Sequence, residues 1–123
     1  MNIIEDLDRK LDQLTKNPTN SCILNDIGVL LYRVNDWENA EKYFHRAYEL
    51  DSKNGDILFN YALILYKQDK FREAIFIYEA YLKFYEYDKE VIQKLGDCYF
   101  MIGEYGLASK MYKLLQRDRE GNH

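Results

Sequence analysis

At 123 residues, with 47% apolar and 31% charged side chains, the chain has room for one continuous core and the balance of an ordinary globular protein. A net charge of −4 and a pI near 5.2 leave no basic face for phosphates, which argues against a nucleic-acid binder. No apolar run approaches the roughly 18 residues that cross a bilayer, so no membrane partner is expected.

The opening segment, Met1-Asn2-Ile3-Ile4-Glu5-Asp6-Leu7-Asp8, is acidic and interrupted, unlike a signal peptide, and a cytoplasmic location is the expectation. Ile3, Ile4, Leu7, Leu11 and Leu14 recur at helical spacing opposite Glu5, Asp6, Asp8, Lys10 and Asp12. Asn17-Pro18 ends that helix, because the residue before a proline is pushed out of helical geometry. Pro18 is the one proline, and with six glycines the chain has few breakers, which favours helices joined by short turns.

From residue 21 onward the chain repeats. In units of 34, residues 21–54, 55–88 and 89–122 superimpose without a gap. Their eighth residues are Gly28, Ala62 and Gly96, and their seventeenth are Trp37, Phe71 and Tyr105. The twentieth are Ala40, Ala74 and Ala108; the twenty-fourth are Phe44, Tyr78 and Tyr112. Apolar residues recur at the fourth place (Leu24, Leu58, Ile92) and the eleventh (Leu31, Leu65, Tyr99).

Each unit reads as two helices. Leu24, Ile27 and Leu31, or Leu58, Tyr61 and Leu65, mark the first at helical spacing. The second starts at the aromatic column and continues as Ala40, Tyr43, Phe44, Ala47 or Ala74, Ile77, Tyr78, Tyr81. Asn35, Asp69 and Gly103 share one place between them, and all three tolerate the left-handed backbone of a tight helix end. Turns between units are expected near Ser52 and Glu86. The small columns let helices approach closely, with the large aromatics filling the wedge beside them. The sequence thus predicts seven helices and no strand.

This pattern resembles the tetratricopeptide repeat family over about 100 of the 123 residues. In the first unit the resemblance rests on Leu24, Ile27, Gly28, Leu31, Ala40, Phe44 and Ala47. Ser52 stands where the family usually has proline, and Tyr81 stands where a small residue is expected. The resemblance implies an all-α, right-handed superhelical solenoid of three antiparallel hairpins, with the first helices lining a concave face. Pro18, 34 residues before Ser52, puts the N-terminal helix in the place of a preceding second helix. Residues 1–20 therefore read as a cap on an array spanning 21–122. At the far end, Gln116 and Asp118 interrupt the apolar pattern, while Met111, Leu114 and Leu115 lack a following helix to cover them.

Stacking of the family's kind turns six columns of each first helix into the groove. Unit one offers Cys22, Asn25, Asp26, Val29, Tyr32 and Arg33. Unit two offers Asp56, Phe59, Asn60, Leu63, Tyr66 and Lys67, and unit three offers Glu90, Gln93, Lys94, Asp97, Phe100 and Met101. Tyr32, Tyr66 and Phe100 form one aromatic level, with Phe59 and Leu63 nearby. Such rings bring contact area at low entropic cost and suit a peptide or helix ligand, although they also suit packing between helices. Some family members grip a C-terminal carboxylate with five groove residues. The matching positions here are Asn25, Val29, Asn60, Glu90 and Lys94, where Glu90 repels a carboxylate and Val29 offers no donor.

Phe76 stands where Lys42 and Lys110 face solvent in the other units, and Tyr85 and Tyr87 follow where Asp51 and Lys53 stand. This is a candidate convex contact or self-association patch, as is the last helix. Cys22 and Cys98 fit neither a metal site nor a disulfide framework, and Cys98 reads as a core residue. His45 and His123 are the only histidines, and there is no glycine-rich phosphate loop. The expected function is a non-enzymatic adaptor without cofactor or metal that binds another protein. The alternative is a small three-repeat secretion chaperone that holds a secreted client.

Overall fold

The computed structural model describes the backbone of residues 2–121 and the side chains of residues 2–117; His123 and the Asp118 side chain lie outside the described residues. Seven helices follow one another: α1 Ile3–Lys16, α2 Ser21–Arg33, α3 Trp37–Leu50, α4 Gly55–Lys67, α5 Phe71–Tyr85, α6 Lys89–Met101 and α7 Tyr105–Gly121. No strand occurs among the described residues.

The helix boundaries repeat because the chemistry at them repeats. Asn20, Asn54 and Asp88 each accept a hydrogen bond from the backbone N–H three residues on, at 3.1, 3.2 and 3.1 Å, and so start α2, α4 and α6. Each of those helices ends alike. Asn35, Asp69 and Gly103 have φ of 64, 60 and 84°, and the next N–H folds back on the carbonyl of Leu31, Leu65 or Tyr99 at 2.9, 2.9 and 2.8 Å. This closing turn satisfies orphan carbonyls and reverses the chain within three residues.

Packing between the hairpins is asymmetric. Within each hairpin α2 packs on α3, α4 on α5 and α6 on α7; between hairpins α3 packs on α4 and α5 on α6. The first helices also meet, α2 with α4 and α4 with α6, whereas among the described residues no second helix meets another. The row α2–α4–α6 is thus the tighter, inner side of a helical solenoid. Helix α1 packs on α2 as α3 packs on α4, with Leu14 buried and Leu7 and Leu11 half-buried against the same core.

One core runs through the stack. Leu24, Ile27, Phe44, Ile57, Leu58, Leu65, Tyr78, Val91, Leu95 and Cys98 are almost wholly buried, each large side chain contributing about 1.5–3 kcal/mol by leaving water. The small column has a specific partner. A Cβ on Gly28 would lie 2.5 Å from the Phe44 ring, and one on Gly96 would lie 2.7 Å from the Tyr112 ring. The eighth and twenty-fourth columns are therefore two halves of one contact in the first and third hairpins. Tyr81 fits without disturbing the helix: its hydroxyl donates to Asp88 at 3.0 Å and its ring packs on Tyr85 and Phe59. The aromatic column changes character at the far end, where Tyr105 is exposed while Trp37 and Phe71 are half-buried. Ile102 of the next unit stands beside Phe71; among the described residues nothing follows to do so for Tyr105.

Candidate protein-binding groove

The six groove columns all fall on α2, α4 and α6, the inner row. Val29 and Leu63 are half-buried and, with Tyr32, Arg33, Asn60 and the ring of Phe44 beneath, line a cavity of about 220 Å³ between α2 and α4. The aromatic level divides. Tyr32 and Tyr66 are half-buried, and Tyr66 meets Phe71 edge-on at 5.9 Å with the Lys94 ammonium 5.0 Å above its ring. Phe100 is 54% exposed and leans on Tyr105 at 5.2 Å. Phe59 is half-buried with its edge toward Tyr81. Met101, Gln93, Arg33 and Lys67 are exposed.

Polar groups on the floor are tied to one another. Asn60 donates to Asn25 at 3.1 Å, bridging α4 and α2. Asp26 holds Lys10 of α1 at 2.9 Å. Asp97 accepts from Tyr112 at 2.5 Å and from Gln93 at 3.3 Å. Burial first, and that hydrogen bond second, push the Tyr112 hydroxyl up to about 12. Burial and the Asp97 charge likewise raise Tyr66. Of the five positions that match a carboxylate grip, Asn25 and Asn60 are engaged with each other, Lys94 caps Tyr66, and Glu90 is exposed.

Sequence columns brought the groove residues to one face but did not reveal their ties. Lys10, Phe44 and Tyr112 fall outside the groove columns, although Lys10 anchors Asp26, Phe44 floors the cavity and Tyr112 fixes Asp97. The hydroxyl of Tyr112 does not signal its contact by itself, because Tyr78 carries the same tip in the same column and its buried hydroxyl has no hydrogen-bond partner among the described residues.

Outside the groove, Phe76 is 67% exposed. Tyr85, grouped with it in the sequence, is anchored instead: its hydroxyl donates to the Lys53 carbonyl at 2.7 Å. At the α7 end, Phe100, Tyr105, Ala108 and Tyr112 border an open depression of about 540 Å³. Cys22 is exposed, Cys98 is buried, and both are free thiols. His45 of α3 bonds Glu49 of the same helix at 2.7 Å and Tyr61 of α4 at 2.9 Å, and lies outside the groove columns. No cluster of three metal-binding side chains exists among the described residues.

No curated protein sequence matches the chain significantly. Among solved structures, MamA AMB-1 superposes with a TM-score of 0.86 at 19% identity, over 94% of this chain and 63% of that one. A second MamA structure gives 0.87 at 16% identity, over 98% and 72%. PilF of Pseudomonas aeruginosa gives 0.76 at 21%, over 89% and 50%. The chain thus spans under two thirds of the MamA AMB-1 chain and half of PilF, and at these identities the likeness concerns the fold. A family model described as tetratricopeptide repeat matches residues 19–86, which hold the first two hairpins. With the 34-residue period and the shared caps and closing turns, that match makes this chain a member of the tetratricopeptide repeat family.

Proposed function

We propose that the chain is a protein-interaction module that takes a peptide or helical segment of a partner protein in the groove of α2, α4 and α6. Repeats of this family serve in general as non-enzymatic scaffolds for protein–protein contact. In this reading residues 1–20 cap an array of 21–122 and the protein acts in the cytoplasm. The described helices include none long and apolar enough to cross a membrane. The carrying observation is the apolar cavity between Val29 and Leu63, which opens on the inner row and has room for a partner's side chain. Contacts along the groove then come from Asn25, Asn60, Tyr32, Tyr66, Lys94, Asp97, Phe100 and Met101.

Leu63→Glu is the discriminating change, because Phe59 and Tyr66 also pack inside the fold while Leu63 lines the cavity. Capture of the partner from native extract by wild type, Leu63→Glu and Phe76→Glu separates the surfaces. The groove reading expects Leu63→Glu to lose the partner with its helical circular dichroism intact, and Phe76→Glu to retain it. The reverse result assigns binding, or self-association, to the convex face. A secretion chaperone would use the same groove, and its captured partner would be a secreted protein unstable on its own.

A further inference from the structure

Charge in the groove divides into engaged and free groups. Between the rims the ionised side chains are already engaged: Asp26 with Lys10, Asp97 with Tyr112 and Gln93, Lys94 over Tyr66. At the rims they are not. Asp56 and Glu90, second residues of α4 and α6, are exposed along one edge; Arg33 and Lys67, last residues of α2 and α4, are exposed along the other. None of these four belongs to an ion pair among the described residues. Each complements the dipole of its own helix, an interaction that leaves an exposed charge free to meet a partner.

We infer that the groove selects an amphipathic helix carrying a basic flank and an acidic flank on either side of its apolar stripe, and that the rims fix its direction. This rests on the groove reading above. Eleven positions separate Asp56 from Lys67 along α4, about 16 Å at about 1.5 Å per residue. A helix about 10–12 Å across fills that gap, and its longer flanking side chains reach both rims. A single extended strand reaches both rims only by sending alternate side chains to opposite sides, which leaves none for the apolar floor between them. Neighbouring first helices lie about 8–10 Å apart, a distance a ligand helix climbs in about five to seven residues. Charges on each flank of the ligand therefore recur about every heptad. Turning such a ligand end for end exchanges its flanks and sets like charges against each other, so one direction is rejected.

Three synthetic helical peptides with one leucine stripe test this against the full chain by fluorescence anisotropy. One has a lysine flank and a glutamate flank, one has lysine on both, and one has glutamate on both. The mixed peptide is expected to bind roughly tenfold tighter than either uniform one at low salt, with the advantage shrinking as salt rises. Arg33→Glu with Lys67→Glu makes both rims acidic and is expected to move the preference to the all-lysine peptide. Equal affinity for all three peptides, each abolished by Leu63→Glu, overturns the rim assignment and leaves the groove standing. Binding indifferent to Leu63→Glu overturns the groove reading and this inference with it. Failure of the mixed peptide to bind at millimolar concentration overturns the inference alone, since partner capture decides the groove separately.

Discussion

Two glycines in this chain should respond to the same substitution with opposite signs. At Gly28 the new methyl would lie 2.5 Å from the Phe44 ring, which is 2% exposed and has nowhere to go. At Gly106, in the first turn of α7, it would meet nothing within 4 Å. Alanine gains about 0.5–1 kcal/mol over glycine in a helix, while overpacking a core costs about 1–3 kcal/mol. Gly28→Ala is thus expected to lose about 1–2 kcal/mol and Gly106→Ala to gain about 0.5 kcal/mol, both read from chemical denaturation. The sequence revealed the small column and the aromatic column separately. That they are one contact was not legible, because side-chain size says where room is needed and not which ring uses it.

Helix ends were the most readable features and also hid the most. Asn35, Asp69 and Gly103 announced their left-handed turns by residue type alone. The cap column Asn20, Asn54, Asp88 is hard to read from sequence, since it sits just before or at the end of each unit and polar residues there blend into the turn. Lys70 breaks the pattern of side-chain caps. It makes no cap bond and instead reaches Glu41 of the preceding unit at 2.8 Å, trading a local bond for one between units. Glu86, by contrast, has φ 49° and ψ −81°, a conformation that costs a residue with a Cβ and costs glycine little. Glu86→Gly is expected to stabilise the fold by about 1 kcal/mol, visible as a higher denaturation midpoint. An unchanged or lower midpoint would show that the turn is relaxed as it stands.

The whole stack carries a pH limit from its buried phenols and thiol. Burial pushes Tyr61 and Tyr112 from 10.0 to about 12, and Cys98 from 9.0 to about 12. Their protonated forms are favoured in the folded chain, so the unfolded chain sheds those protons first as pH rises. The stability they contribute is fully present below about pH 9, falls from there and is lost by about 12. Denaturation midpoints are therefore expected to stay level up to about pH 9 and to drop steeply between about 10 and 12. The groove as a face was legible from the repeat, because a column count fixes which side of a first helix looks inward. Which of its charges are already engaged was not, because that depends on α1 and on the second helix α7, both outside the groove columns.

Helix α7 packs on α6 and on no other described element, leaving Met111, Leu114 and Leu115 only half-buried. In a chain of units held by their neighbours, a helix packed on one other element opens readily, so the amides of α7, like those of α1 on α2, should exchange with deuterium faster than those of α4. The Tyr112 hydroxyl nevertheless rests on Asp97 in the groove, so whatever holds α6 from the inner side also steadies the helix behind it. A ligand laid across α2, α4 and α6 should slow exchange in α7 without touching most of it. Helix α7 would then act as a gauge of occupancy, loose when the groove is empty and quiet when it is full.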